Sequence, residues 1–332
     1  MAHLLQPLKA GSLELANRLV MPPMATQKAD PEGRVSPELI EYYREKSRGG
    51  YISLVIVEHS FIRQEGKAGE GQLSAASDSA VKGLGELAAA IRGNGSRAVM
   101  QINHAGSAAS EEITGLTPLA PSAVPHPRTK TVPRELTPGE ISEIAGAFKE
   151  AARRTREAGF DGVEIHSAHG YLLHQFFSPL TNRRSDQYGG DLSGRIRIHL
   201  EVIETVREEV GRDFPVLLRL GASDYMAGGA RLEDSVAAAR EFERAGVDIL
   251  DISGGFCGYT VEGLSGQGFF SPLTEAIKEA VSIPVILTGG ITDPEAAEKL
   301  LRENKADLIG VGRAILKDSG WAKNAVSGLQ EN

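Results

Sequence analysis

The chain has 332 residues, 41% hydrophobic and 24% charged, a composition that excludes both disorder and collagen-like order. Thirty-six basic residues against 44 acidic ones leave a formal net charge of −8, a poor match for nucleic acid or an anionic lipid surface. A single cysteine, Cys257, rules out an intrachain disulfide and a four-cysteine iron–sulfur or zinc site within the chain.

The first eighteen residues lack a basic stretch followed by an unbroken apolar core, so no secretory signal is expected. The longest apolar strip, Tyr51 to Val57, is too short to cross a bilayer. A cytoplasmic protein without nucleic-acid or membrane partners is the expectation. Short Val/Ile/Leu runs then alternate with longer amphipathic stretches. Strands are predicted at Arg18–Met21, Ile52–Glu58, Ala98–Ile102, Gly162–His166, Val216–Leu220, Ile249–Ser253, Val285–Thr288 and Leu308–Val311. Between them the spacing predicts helices at Pro37–Arg48, Ser79–Gly93, Pro138–Ala158, Asp191–Val210, Leu232–Ala245, Pro272–Val281 and Pro294–Asn304, with an eighth from about Ala314. Continuous apolar runs suit strands buried on both faces, as in a parallel sheet.

The joins repeat. AGFDGVEI, AGVDILDI and NKADLIGV each pass from helix to strand through a small residue and an Asp, with Gly or Asn suited to a left-handed helix end. Thr137-Pro138, Ser271-Pro272 and Asp293-Pro294 each pair an N-cap residue with proline at the first helical position. Eight strand–helix units imply a (β/α)8 TIM barrel over residues 1–332 as one domain. A doubly wound sheet is the alternative, but nothing marks a switch in strand order. Residues 103–134 and 167–190 read as insertions capping the barrel after strands 3 and 4.

Chemistry in such a barrel belongs at the C-terminal strand ends. Those ends carry Pro22-Pro23-Met24, Glu58-His59, Gln101, His166, Arg219, Ser253-Gly254-Gly255, Gly289-Gly290 and Gly312-Arg313. Gln101, His166 and Arg219 close apolar strands, where a purely structural residue is usually aliphatic; solvated rim residues are the plainer reading. The glycine loops after strands 7 and 8 suit phosphate, with Arg313 as a planar charged fork, though tight turns alone would also use glycine. A Rossmann reading of Gly310-x-Gly312 fails at Ile315, where a third glycine or alanine belongs.

The densest motif runs from His166 through Arg184 and on to Gly190: HSAHGYLLHQFFSPLTNRRSDQYGG. His166 and His169 could ligate metal, but no third ligand stands near them in the motif. Two N–H donors converging on one developing oxyanion fit better, with the Tyr171 phenol as a proton donor. His174 reads as structural.

These motifs together resemble the old yellow enzyme family of FMN-dependent NADH:flavin oxidoreductases, from Leu4 to about Lys317. The resemblance implies tightly bound FMN at the barrel mouth, with its phosphate at Gly289, Gly290, Gly312 and Arg313. It places Arg219 by the N1/C2 carbonyl region, Gln101 at the pyrimidine edge, and Pro22, Pro23, Met24, Ala25 and His59 along the dimethylbenzene and N5/O4 side. His166 and His169 would bind the carbonyl oxygen of an enone-type substrate, and Tyr171 would protonate its α-carbon, with NADH or NADPH as the transient hydride donor. Homo-oligomers occur in the family. Other FMN-barrel chemistry, such as demethylation or ring reduction, and a non-catalytic flavin protein are the alternatives.

Four positions depart from the family pattern. Ala25 stands where Thr or Cys is frequent, Gln27 where one subgroup has Tyr, Ser107 where Arg is common, and His59 where a small residue usually follows Glu. Larger relatives add an iron–sulfur cluster and a second flavin domain, and neither is expected here.

Overall fold

The computed structural model describes residues 2–331. Eight parallel strands close into a barrel, each hydrogen-bonded to its neighbours in chain order and the last to the first. They are β1 (Leu19–Met21), β2 (Leu54–Phe61), β3 (Arg97–Asn103), β4 (Gly162–Ser167), β5 (Val216–Gly221), β6 (Ile249–Ser253), β7 (Val285–Thr288) and β8 (Leu308–Gly310). Outside them lie α1 (Pro37–Ser47), α2 (Val81–Arg92), α3 (Pro138–Glu157), α4 (Leu192–Val210), α5 (Leu232–Ala245), α6 (Ser271–Lys278), α7 (Pro294–Arg302) and α8 (Arg313–Lys317), followed by α9 (Trp321–Glu331). The (β/α)8 expectation therefore holds, and the doubly wound alternative falls. No helix among the described residues is long and apolar enough to cross a membrane.

Alternation along the strands divides the core in two. One set of strand residues (Val55, Met100, Val163, Leu218, Ile252, Leu287) packs outward under the helices. The other set (Val20, Leu54, Ile56, Val99, Leu217, Ile249, Ile286, Leu308) fills the barrel. Beneath them an antiparallel hairpin, Leu8–Ala10 paired with Leu13–Leu15, drives Ala10, Leu13 and Leu15 into the same interior cluster and plugs the lower end. The strand prediction missed it. Two three-residue strands are too short to show a period.

Boundaries follow local chemistry. Thr137 caps α3 in a reciprocal capping box with Glu140, and Asp293 caps α7 by accepting from the Glu295 N–H. The Ser271 cap is a correction: Ser271 is already the first helical residue of α6, Phe270 occupies the cap, and no side chain bonds there. Residues 78–80 form a 3₁₀ turn, so α2 starts at Val81 rather than Ser79. The joins behave as predicted, with Gly159, Gly246 and Asn304 all at positive φ. The Asp that follows each join accepts a backbone N–H at the start of a neighbouring strand: Asp161 from Ala98, the second residue of β3 (2.9 Å), Asp248 from Val216 (2.8 Å) and Asp307 from Val285 (3.0 Å).

β2 extends three residues past its predicted end. Its register with β3 slips between Val57 and Ser60, so Glu58-His59 lies at an irregularity inside the strand. Such a bulge re-aims a side chain at a barrel rim.

Candidate active site

Every residue singled out from the sequence as catalytic or cofactor-binding lines one cavity of about 380 Å³ at the upper end of the barrel. That size is ordinary for a small-molecule or cofactor site. Pro22, Pro23, Met24, Ala25 and His59 form one side, with Gln101 and Arg219 rising from the strands. His166, His169 and Tyr171 form a second side, and Gly289, Gly290, Gly312 and Arg313 a third. His174 is excluded. It is fully buried, and its Nε2 pairs at 2.7 Å with Asp224.

The same alternation that fills the lower barrel with aliphatics delivers polar groups above. Val99 is followed two residues on by Gln101, Leu217 by Arg219, and Ile249 by Asp251 and Ser253. On β4, Glu164 and His166 face inward in the same phase, and strand register sets Gln101 beside Glu164, His166 beside Arg219, and Arg219 beside Asp251. The sequence analysis did not mark Glu164 and Asp251. Their signal was a charged residue in the middle of an apolar strand, in phase with a polar strand end.

Gln101, Glu164, Arg219 and Asp251 are almost completely buried. Gln101 Nε2 donates to Glu164 Oε1 at 2.7 Å, leaving Glu164 Oε2 without a partner. Arg219 Nη1 lies 3.3 Å from Asp251 Oδ2, within ion-pair range. Yet the geometry is not that of a hydrogen bond, and the Nε and Nη1 groups stay unpaired. Burial pushes the Glu164 carboxyl well above its usual range and Asp251 up to about 6, although Arg219 opposes both shifts. Both shifts favour the protonated carboxyl, and a proton on either group limits the repulsion between the two. A buried guanidinium with free N–H groups calls for an acceptor.

The His–Tyr cluster depends on a strained turn. His169 sits at φ 59° and Gly170 at φ 78°. The left-handed conformation costs a non-glycine residue roughly 1–2 kcal/mol. At Gly170 a side chain would meet the Phe256 ring at 2.8 Å. The turn brings the His166 ring to 5.2 Å from His169 and 5.1 Å from Tyr171, centroid to centroid. His169 Nε2 shares a 2.7 Å hydrogen bond with Ser253 Oγ, which orients that ring.

The capping insertions hold the turn in place. Gly170 O accepts from Gln175 Nε2 at 2.7 Å and from His126 Nε2 at 3.1 Å. The His126 proton is on Nε2 because Nδ1 accepts the Arg128 and Thr129 backbone N–H groups. Much of the long motif is thus architectural, since Gln175, Asn182 and Arg184 bond backbone carbonyls of the cap.

Burial pushes the His166 and His169 pKa values well below the usual range, and neighbouring positive charge adds to the effect. Both rings are neutral at pH 7, each with one N–H. Burial raises the Tyr171 phenol further, so it keeps its proton. The arrangement offers neutral donors beside a protonated phenol, over a floor with one fixed positive charge.

The glycine loops leave backbone exposed. Gly290 has φ 68°, and a side chain there would run into Gly266 O at 2.4 Å. Gly310 leaves room for the Thr288 hydroxyl, which a Cβ would approach to 2.0 Å and which has no partner in its buried position. Arg313 is exposed at the mouth and makes no ion pair among the described residues. Phe270, Thr288, Ile291, Tyr259 and Leu316 complete the lining. Tyr259 is 66% exposed, with its ring edge-on and 6.3 Å from His169. The sequence analysis passed over these: Tyr259, Phe270 and Ile291 lie outside the periodic elements, and Thr288 and Leu316 belong to a strand and a helix whose pattern does not single them out.

The geometry has counterparts. The model of the NADH:flavin oxidoreductase / NADH oxidase family matches residues 3–332. An NADH oxidase of Thermoanaerobacter brockii is 44% identical over 97% of this chain and 50% of its own length. A metal reductase of Desulforamulus reducens is 40% identical, again over half its length, so the chain spans about half of these first curated relatives. An NADPH dehydrogenase of Clostridium acetobutylicum is 38% identical over 92% of this chain and 88% of its own. Among solved structures, a 2-naphthoyl-CoA reductase complex with 2-naphthoyl-CoA superposes with a TM-score of 0.93 at 29% identity, covering 98% of this chain and 52% of that one. Morphinone reductase in complex with tetrahydroNAD superposes at 0.86 with 27% identity, covering 99% and 91%.

Proposed function

The chain belongs to the NADH:flavin oxidoreductase / NADH oxidase family, and from that premise we propose that it reduces the C=C bond of α,β-unsaturated carbonyl compounds at the expense of NADH or NADPH. The observation that carries this reading is the gathering of His169 and Tyr171 around His166, with ring centroids 5.2 and 5.1 Å from it, beside a buried, incompletely paired Arg219. FMN, when bound, supplies the chemistry these residues lack: it accepts hydride from the nicotinamide and passes hydride to the substrate.

The cavity fits that group. Arg219 offers fixed positive charge to a ring that becomes negative on reduction, and its unpaired N–H groups supply the donors. Because Gln101 Nε2 is committed to Glu164, its amide oxygen is left to accept an N–H from the pyrimidine edge. Pro22, Pro23, Met24, Ala25 and His59 would wall the other edge. Gly289, Gly290, Gly312 and Arg313 would hold the phosphate through backbone N–H groups and one guanidinium.

Substrate handling falls to the second wall. The neutral His166 and His169 donate to the carbonyl oxygen, drawing electrons from the double bond and stabilising the enolate-like transition state. Tyr171, kept protonated by burial, delivers its proton to the α-carbon. The apolar mouth at Tyr259, Ile291 and Leu316 favours a flat, weakly polar substrate and keeps water off the reacting atoms.

Anaerobic stopped-flow measurements on Tyr171→Phe test the assignment. Flavin reduction by NAD(P)H should keep its rate, whereas reoxidation by an enone should slow about 10²–10⁴-fold. Unchanged rates in both half-reactions overturn the role of Tyr171, and a wild-type protein that takes up no FMN overturns the whole reading.

A further inference from the structure

We infer that His59 is a cofactor-positioning donor, locked by Gln72 as a neutral Nε2–H imidazole that hydrogen-bonds the flavin edge and raises the reduction potential of the bound FMN. The inference deepens the reading above and rests on it.

The wall formed by Pro22, Pro23, Met24 and Ala25 has no side-chain N–H or O–H, and its two prolines lack a backbone N–H as well. On that side His59 alone brings a side-chain donor to the cavity. The irregularity in β2 between Val57 and Ser60 falls at this residue and turns it inward.

The tautomer follows from a chain of bonds. Gln72 Oε1 accepts the Ala68 N–H at 2.6 Å, and Gln72 Nε2 donates to His59 O at 2.7 Å. Reversing that amide would set oxygen against a carbonyl oxygen and NH₂ against an N–H, so its orientation is fixed. The same Nε2 stands 3.1 Å from His59 Nδ1, and Asn103 Nδ2 stands 3.3 Å away. Nδ1 therefore accepts. Burial pushes the imidazole pKa down to about 4, so the ring carries one proton, and it is on Nε2. His59 makes no hydrogen bond through Nε2 to any described residue, while its ring lines the cavity. The ring also stacks on Tyr171, with centroids 5.5 Å apart and planes at 18°, so the donor and the phenol are held as one unit.

A fixed neutral N–H beside an acceptor edge binds more strongly once reduction places negative charge on the ring. His59 thus supplies from β2 what the methyl of Ala25 cannot supply from the loop after β1.

The test compares the FMN-loaded wild type with His59→Phe, His59→Gln and Gln72→Leu. The readouts are the FMN midpoint potential, the visible flavin spectrum and imidazole ¹⁵N shifts. His59→Phe keeps a ring against Tyr171 but has no N–H. It should cost about tenfold in preference for reduced over oxidised flavin, equivalent to ~30 mV for a two-electron couple. His59→Gln, with an amide NH₂ near the imidazole Nε2 position, should recover most of that loss. Gln72→Leu should shift the potential in the same direction by less.

A potential and spectrum unchanged in His59→Phe overturn the proposal. So does a change confined to enone KM, which would assign the N–H to substrate. If His59→Phe does not fold, the wild-type ¹⁵N shifts and Gln72→Leu decide, and an Nδ1–H wild-type tautomer overturns it. Failure of the wild type to bind FMN is a separate result that removes the functional reading itself.

Discussion

At the lower end of the barrel, three half-buried carboxylates are paired. Asp161, Asp248 and Asp307 each accept an N–H from the first or second residue of a strand and also meet Arg97, Arg207 and Lys278, respectively, above a hairpin that fills the interior with aliphatic side chains. At the upper end, buried polar groups are incompletely satisfied: Arg219 Nε and Nη1, both Asp251 oxygens, Glu164 Oε2, His166 Nδ1 and Thr288 Oγ1 have no hydrogen-bond partner. The same eight strands run through both ends. Leaving a buried polar group unpaired costs about 1–3 kcal/mol, so these groups add little to the fold, which rests on aliphatic packing inside the lower barrel and under the helical shell. Loss of stability and loss of chemistry should therefore map to opposite ends of the same strands.

The largest effect should come from above. Replacing His166 or His169 by Ala should slow enone-dependent flavin reoxidation about 10²–10³-fold for each lost donor, with little change in the unfolding midpoint. A matching collapse in stability would break the division between the ends. Below, Asp248→Ala strands the Val216 N–H and removes the Arg207 partner. It should lower unfolding free energy by about 1–3 kcal/mol in urea titrations and leave the flavin spectrum and both half-reactions intact.

The finest distinction is in pH. Glu58 accepts the Thr26 N–H at 2.9 Å near the top of β2, and burial lifts its pKa from the usual 4.5 to about 7. Between those values the folded chain holds a proton that the unfolded chain has released, so stability falls as pH rises from 4.5 to 7 and then levels off. Glu58→Gln removes that contribution. Its unfolding free energy, from urea titrations, should match the wild type near pH 4.5 and exceed it by a growing margin to pH 7, with a slope of at most about 1.4 kcal/mol per pH unit. Parallel pH curves for the two proteins would show that Glu58 ionises normally.

The sequence revealed the two ends unequally. The lower-end joins were readable because one local rule, a left-handed helix end followed by Asp, recurs at Gly159-Phe160-Asp161, Gly246-Val247-Asp248 and Asn304-Lys305-Ala306-Asp307. Residues at the strand ends, such as Gln101, His166 and Arg219, stood out because polar side chains interrupt aliphatic runs. Glu164 and Asp251 did not, since choosing which alternate residues face inward requires knowing that the sheet closes. Ser271 misled as a cap because a Ser-Pro pair is equally compatible with the first turn of α6. His126 and Gln72 hold cavity-lining groups by bonding backbone or imidazole atoms 44 and 13 residues away, and Gln175 does so from five residues away, and no spacing rule announces such bonds.

The amino-acid order alone determined the strand–helix alternation, the eight units, the polar strand ends and the His–Tyr motif, because each is set by interactions within a few residues. Tertiary structure alone decided that the polar ends share one cavity, that burial drives the Glu164 pKa upward while Arg219 keeps free N–H groups, and that His59 Nδ1 faces two amide groups. Those properties depend on desolvation and on hydrogen-bond partners, which exist only once distant segments have closed around them.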